Sequence, residues 1–368
     1  MSLTEEIANR RRAINTDGYS MSIGELMNLY RDDELDIHPE FQRFFRWSDE
    51  QKSRLIESLL LGIPIPSIFV HQRQDGVWDV IDGLQRLSTI FQLVGILKDE
   101  EGDLVDPLIL RGTRYLPSLE NKRWESDVAD GVLDREQQLI IKRSKLDVQI
   151  VLRESDEASK YELFQRLNTG GSPLSDQELR NCILIMVDRD FYHWLVDLAK
   201  DPNFRDCIAL TDRASEEQYD IELVVRFLVF RTVTMERLRE IGDIGEFLTD
   251  EIVRLAQSND FDQDREEAAF RFTFRQLAEA LQDSSFNKYD PDRQRFLGGF
   301  LISVYEVLAL GIGANYESYE DGAPVPDITQ IAKALWTNER FLYRTGSGIR
   351  ASSRLPHTIP MGREYFRP

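Results

Sequence analysis

Between residues 77 and 97 the chain changes its hydrophobic period. Val77–Ile81 reads as a short β-rich run, after which Leu87, Ile90, Phe91, Val94 and Leu97 fall at helical spacing on one apolar face. The dipeptide between them, Asp82-Gly83, is of the turn-forming type. The pattern predicts strand, tight glycine turn and helix in immediate succession. Ser67–Arg73 is a second β-rich run, joined to the first through Gln74-Asp75-Gly76, a hairpin signal. Leu35-Asp36-Ile37, stopped by Pro39, and Leu146–Leu152 complete the strand signals.

Helical periods surround these strands. A polar helix is expected over 4–15, and a second begins at Ser22 with Ile23, Leu26, Met27 and Tyr30 on its apolar face. Ser48 opens a third, with Leu55, Ile56, Leu59 and Leu60 inward; Gly62 ends it, and Pro64 and Pro66 hold the next residues extended. Residues 98–135 are acidic and weakly periodic and read as an insertion or long loop. A helix over 157–167 has Tyr161, Phe164 and Leu167 as its apolar face. Ser22/Glu25, Ser48/Gln51 and Ser175/Glu178 each have the spacing of a capping box. From about 176 to 310 the pattern is helical and strand signals are absent, with helices predicted at 176–200, 217–236, 243–257, 263–282 and 291–310. A loop, Asn315–Asp327, then precedes a helix near 328–342 and a basic, glycine- and serine-rich tail at 344–357. The expected class is α+β: a small mixed α/β domain at 1–172, then an all-α domain at 173–368 with a basic C-terminal tail.

Composition narrows the function classes. Hydrophobic residues are 42% and charged residues 30%, an ordinary globular balance, and 368 residues suffice for two domains. The net charge of −20 repels nucleic acid, so any DNA contact needs a local basic patch. Two cysteines without a CxxC, Cys182 and Cys207, sit in apolar surroundings and read as core residues. No apolar run is long enough to span a membrane, and the N-terminus lacks a signal-peptide core, so a cytoplasmic location is expected.

The strand–turn–helix carries the first candidate chemistry. The free N–H groups of the helix's first turn, with their partial positive charge, face whatever sits over the turn. Gly83 permits close backbone approach, Arg86 adds a planar cation suited to phosphate oxygens, and Asp82 can hold a metal ion or position a water. The plainer alternative is an ordinary turn in which Asp82 caps the helix. Gln42, Arg43 and Arg46 lie among Phe41, Phe44, Phe45 and Trp47, either a pocket for base or phosphate or cation–π packing on a surface. Arg166, Asn168 and the Gly170-Gly171 turn sit between two helices, in a loop able to wrap a ligand or merely to punctuate the chain. Arg344, Arg350 and Arg354 give the tail its charge, and Arg10-Arg11-Arg12 either meets a polyanion or forms a solvated helix face. There is no GxxxxGK[ST] loop, GxGxxG, HExxH or GxSxG elbow, no restriction-type carboxylate–x–Lys pattern follows the 146–152 strand, and His38, His71, His193 and His357 form no metal-finger arrangement.

Four motifs in order give the chain a resemblance. Asp82-Gly83-Leu84-Gln85-Arg86 resembles a DGQQR box; Pro39, Gln42, Arg43 and Trp47 match an upstream Pro-x-x-Gln-Arg…Trp segment. Phe164, Arg166, Asn168, Gly170, Gly171, Pro173, Leu174, Ser175 and Glu178 match an FxRLNTGGxPLSxQE stretch, and the tail TGSGIRASSR is similar to a C-terminal Thr-Gly-Ser…Arg segment. Together these resemble the GmrS-type N-terminal domain of GmrSD-like restriction systems, a branch of the ParB/sulfiredoxin-like superfamily. The resemblance implies a mixed α/β domain and a helical remainder, nucleotide binding and, in several relatives, divalent-metal-dependent NTP hydrolysis tied to the box. In restriction members it also implies a joined HNH-type nuclease domain, for which this chain shows no histidine pattern. Leu84 stands where the box has its first Gln, so that side chain's hydrogen bond is missing.

The expected function is therefore an NTP-binding sensor or regulator of a DNA-defence system with Mg²⁺-dependent hydrolysis and a separate HNH-type nuclease partner. Asp82 is assigned to Mg²⁺ or its water, Gln85 to orienting water or a phosphate oxygen, and Arg86 to charge building on the transferred phosphoryl group. Gln42 and Arg43 would bind phosphate or base, Arg166, Asn168, Gly170 and Gly171 would close the pocket, and Arg350 and Arg354 are further phosphate contacts. The alternative is a non-catalytic DNA-binding or adaptor module, with a nuclease as a third reading. Self-association is left open.

Overall fold

The computed structural model describes residues 16–37, 47–99, 101–125, 131–152, 175–345 and 348–368. The expected helices at 4–15 and 157–167 lie outside these. The chain divides into two compact units, Met1–Leu174 and Ser175–Pro368. It is mixed α and β, with one small sheet near the N-terminus and mostly helices afterwards.

The first unit is built on a five-stranded sheet of β1 (Thr16–Ser22), β2 (Leu35–Asp36), β3 (Ile68–Gln72), β4 (Trp78–Asp82) and β5 (Lys145–Val151), in the order β1-β5-β3-β4-β2. β1 is antiparallel to β5, β5 parallel to β3, β3 antiparallel to β4 and β4 parallel to β2. The 68–72/78–82 hairpin pairs Val70 with Val80 and Gln72 with Trp78. Ile68, Val70, Val80, Val148 and Ile150 bury the sheet's core positions. Helices α1 (Ile23–Arg31), α2 (Asp49–Leu61), α3 (Leu84–Val94) and α4 (Arg135–Arg143) complete the unit. Tyr30 of α1 stacks on Phe91 of α3, ring centroids 4.5 Å apart.

Local signals set these boundaries. Ser48 accepts from Gln51 N while Gln51 returns a bond to Ser48 N, a complete capping box; Ser22 accepts from Glu25 N. Gly62 and Gly95 end α2 and α3 in the left-handed conformation. β1 and α4 were not expected. β1 is an edge strand whose Tyr19 is exposed, so no buried face imposes an alternating pattern on it. The 98–135 stretch is largely irregular, yet Leu108, Leu110, Leu119 and Trp124 are buried. The buried Glu57 carboxylate pins it, accepting from Thr113 Oγ1, Tyr115 N (3.0 Å) and Leu116 N (3.1 Å); Ser53 Oγ accepts from Arg111 N at 2.8 Å.

The second unit is helical around α9 (Tyr219–Thr232), preceded by α5 (Asp176–Val187), α6 (Arg189–Ala199), α7 (Pro202–Ile208) and α8 (Asp212–Glu216). It continues through α10 (Met235–Arg239), α11 (Ile244–Ala256), α12 (Gln263–Leu281), α13 (Ile302–Ala314), α14 (Tyr316–Glu320), α15 (Ile328–Ala334), α16 (Glu339–Leu342) and α17 (Ala351–Tyr365). The single helix expected over 176–200 breaks at Asp188, whose side chain caps α6, and that over 217–236 breaks at Thr234, which caps α10. The second unit is not purely helical: a hairpin of β6 (Lys288–Asp290) and β7 (Arg295–Leu297) replaces the start of the helix expected at 291–310. Asp290 Oδ1 accepts from Asp292 N and Arg293 N, folding the turn, and three-residue strands are too short to show a period. The tail also differs from expectation, since 351–365 is helix despite Pro356 and Pro360. It packs on α13 at a close crossing, where a Cβ on Gly311 would lie 2.6 Å from Gly362 O. Among the described residues, no helix is long and apolar enough to cross a membrane.

Candidate functional site

Asp82 is the last residue of β4, Gly83 sits before α3 with φ +102°, and Leu84 begins the helix. The positive φ is one that glycine adopts without strain. Gly83 also lies tight on β3: an added Cβ would stand 2.9 Å from Ile68 Cβ and closer still to its Cγ2. Among the described residues no side chain caps the N-terminus of α3, so Asp82 is not its cap. A helix N-terminus is suited to an anion.

Asp82 pairs with Arg86 instead. Arg86 Nη2 donates to Asp82 Oδ2 at 2.7 Å, one helical turn on. Arg86 Nη1 donates to the carbonyls of Pro66 and Ser67, the latter at 3.0 Å. The arginine is 9% exposed, so its guanidinium is a clamp joining the β4–α3 turn to the extended segment entering β3. Two of its five N–H bonds, at Nε and Nη2, remain for another acceptor among the described residues. Asp82 keeps about a third of its side chain exposed, and its Oδ1 has no hydrogen-bond partner among the described residues.

Gln85 Oε1 accepts from Trp47 N at 3.1 Å, bringing the end of the upstream Pro39…Trp47 motif onto the box. Leu84 is 5% exposed and belongs to the core, so the residue that departs from the box is an apolar one in apolar surroundings. Asp82, Gly83, Gln85 and Arg86 therefore share one place. Gln42, Arg43, Arg166, Asn168, Gly170 and Gly171 lie outside the described residues. Among the described residues, no group of three or more His, Cys, Asp or Glu side chains is arranged to hold a metal ion. Asp82 is the one carboxylate of the box, and a hard cation there would complete its shell with water and ligand oxygens.

The remaining candidates belong to the second unit. Arg350 is exposed at the N-cap position of α17. Arg354 is committed to a buried carboxylate: its Nε and Nη2 donate to the two oxygens of Glu306, each at 2.9 Å, and Glu306 is 1% exposed. Thr358 Oγ1 donates to the same carboxylate at 2.7 Å. The end of the third motif is likewise an internal assembly. Ser175 and Glu178 form a complete capping box. The fully buried Arg180 donates to Thr249 Oγ1 (3.2 Å), Gly245 O (3.2 Å) and Gln177 Oε1. Burial lowers the Arg180 pKa to about 10. Sequence reading did not single out Glu57, Arg180 or Glu306; each has partners far along the chain, and no local pattern marks them.

Residues 23–185 match the family model described as the GmrSD restriction endonuclease, N-terminal domain. The match contains the whole 82–86 box and runs into α5. No curated protein and no solved structure matches the chain.

Proposed function

We propose that this GmrSD-type N-terminal domain binds a nucleoside triphosphate at the 82–86 turn and acts as the nucleotide-dependent sensor of a restriction system. The observation that carries the reading is the turn itself: among the described residues, a helix N-terminus without a side-chain cap, a carboxylate about a third exposed with an unused oxygen, and a partly unsatisfied guanidinium within 2.7 Å of it. The first-turn N–H groups and the two unused N–H bonds of Arg86 would take phosphate oxygens. Gln85, oriented by Trp47 N, would use its amide N–H₂ to place a water or a phosphate oxygen. Arg86 also holds Asp82, so the carboxylate keeps one orientation while its other oxygen has no partner among the described residues.

Mg²⁺ fits the donor set as a carboxylate-plus-phosphate ion held by Asp82; when bound, it neutralises phosphate charge. Hydrolysis is part of the proposal, because Leu84 is buried and its departure from the box removes no group from the exposed side of the turn. In a restriction system the product of sensing is DNA cleavage, so a nuclease partner of HNH type and contact with DNA are proposed with it. The net charge of −20 favours recognition through a partner over broad DNA affinity.

The test is thermal unfolding with each NTP and Mg²⁺, followed by phosphate release. A ligand that binds only the folded state raises the midpoint. A rise that Asp82→Asn and Gln85→Ala both diminish supports the site. No rise with any NTP at saturation overturns it, and phosphate release that survives Asp82→Asn overturns the metal assignment.

A further inference from the structure

The second unit holds an open cavity of about 610 Å³ lined by Arg231, Asn315, Ser318, Arg363, Glu364 and Arg367, with Val233, Ala314 and Pro368 completing the lining. The volume is that of pockets that take small organic ligands. Its three arginines are not equivalent. Arg231 is matched: it binds Glu266 at 2.7 Å and Glu317 at 2.6 Å. Arg363 has no carboxylate partner; its Nη2 donates to the carbonyls of Phe230 (2.9 Å) and Val233 (3.4 Å), and its Nε is buried without an acceptor. Arg367 is exposed and makes no side-chain bond among the described residues.

What sets Arg363 apart is that its Nε is buried in the cavity wall without an acceptor, with Arg367 one helical turn on. Burial without a counter-charge lowers the Arg363 pKa, the sign of a cation whose solvation has not been replaced. Glu364 is the carboxylate on the rim; Glu266 and Glu317 are already engaged by Arg231.

We infer that this cavity is a second ligand site, independent of the 82–86 turn, in which the guanidinium groups of Arg363 and Arg367 bind a phosphate-type oxyanion. A phosphate offers several acceptors to the unused N–H bonds, and planar guanidinium forks match its geometry. Ser318 lines the same cavity and would supply a hydroxyl. The same oxyanion chemistry is presented by inorganic phosphate, by pyrophosphate and by the phosphates of a nucleotide.

The experiment is calorimetric titration of the whole chain with phosphate, pyrophosphate and an NTP, without divalent metal and at constant ionic strength. The expected result is metal-independent binding of one pyrophosphate, weakened on the order of tenfold or more by Arg367→Glu. Arg363→Lys, which keeps the charge and loses the fork, weakens it as well. The Arg367 side chain makes no hydrogen bond or ion pair among the described residues, so the unliganded unfolding midpoint of Arg367→Glu stays at the wild-type value. An NTP that binds more tightly than pyrophosphate identifies a nucleotide as the source; equal affinity identifies the free anion. Absence of binding by all three, or wild-type affinity in Arg367→Glu, overturns the inference. Loss through Arg86→Lys with no effect of Arg367→Glu assigns the binding to the 82–86 turn and overturns it equally.

Discussion

Replacing Arg86 by alanine is expected to destabilise the first unit, whatever it does to ligand binding. The side chain is 9% exposed and donates to Asp82, Pro66 O and Ser67 O. A hydrogen bond involving a charged group contributes about 1.5–3 kcal/mol, and removing one member of a buried ion pair costs about 3–5 kcal/mol. Asp82 keeps 31% of its side chain exposed and can recover hydration, which takes the Asp82 share toward the surface-pair range. The two carbonyls are less easily rescued, so the total expected is about 2–4 kcal/mol, a large part of the ~5–15 kcal/mol that holds a domain folded. The assay is equilibrium urea unfolding followed by tryptophan fluorescence, with Trp47, Trp78 and Trp124 reporting on the first unit. Arg86→Lys keeps the charge but not the fork, and should lose about 1–2 kcal/mol. A double-mutant cycle with Asp82→Asn isolates the pair and should return coupling of about 1 kcal/mol. An Arg86→Ala midpoint within about 0.5 kcal/mol of wild type would refute the clamp.

Gly83→Ala should destabilise by about 1–3 kcal/mol, because it adds strain at φ +102° to a collision with Ile68; a denaturant midpoint shift measures it, and a neutral outcome rejects the packing argument. Arg354→Ala should cost about 3–5 kcal/mol, because Glu306 at 1% exposure is left with Thr358 alone; Glu306→Gln in that background should recover part of the loss. Cys182 and Cys207 are both buried, and burial holds both thiols above their usual pKa, Cys207 at about 12, so Ellman's reagent should react with neither at pH 8 until the chain unfolds. The linked sign is that the unfolded thiol ionises near pH ~8.5 while the folded one stays protonated, so stability falls as pH rises from there toward about 12. Cys207→Ala should flatten that fall, and an unchanged slope would show that other groups cause it.

The strand–turn–helix of the candidate site at 82–86 was legible because every signal for it is local. The period changes from two to 3.6 across a glycine, and that change needs no knowledge of the rest of the chain. What the sequence did not show is where Arg86 points, since its carbonyl partners lie 19 and 20 residues upstream on a stretch recognisable only as extended. Gln85 and Trp47 belong to separate motifs whose contact spans 38 positions. β1 escaped because a sheet edge imposes little pattern, and α17 because two prolines and a glycine/serine lead-in outweigh the packing of Leu355 and Ile359 that makes it helical. The tail's charge was visible, but Arg354's acceptor is 48 residues away on α13.

These contrasts bear on how an arginine should be weighed in an acidic chain. Arg226 is bonded to Glu222, Arg231 to Glu266 and Glu317, Arg237 to Glu251, Arg271 to Asp201 and Glu267, and Arg354 to Glu306. Each of these cations is matched within the fold, and an incoming phosphate would have to displace a carboxylate already in place, at the cost of leaving that carboxylate unpaired. Arg86 differs in degree: one carboxylate and two carbonyls take three of its N–H bonds, leaving two. Arg363 and Arg367 make no ion pair among the described residues, although Glu364 lines the same cavity. An external anion therefore has least to displace at Arg363 and Arg367 and somewhat more at Arg86. Oxyanion binding without metal is expected at the former; at the Asp82–Arg86 turn, which carries its own carboxylate, the proposed Mg²⁺ would offset that charge. Metal dependence is thus expected to separate the two proposed sites, and titrating pyrophosphate with and without Mg²⁺ reads both in one experiment.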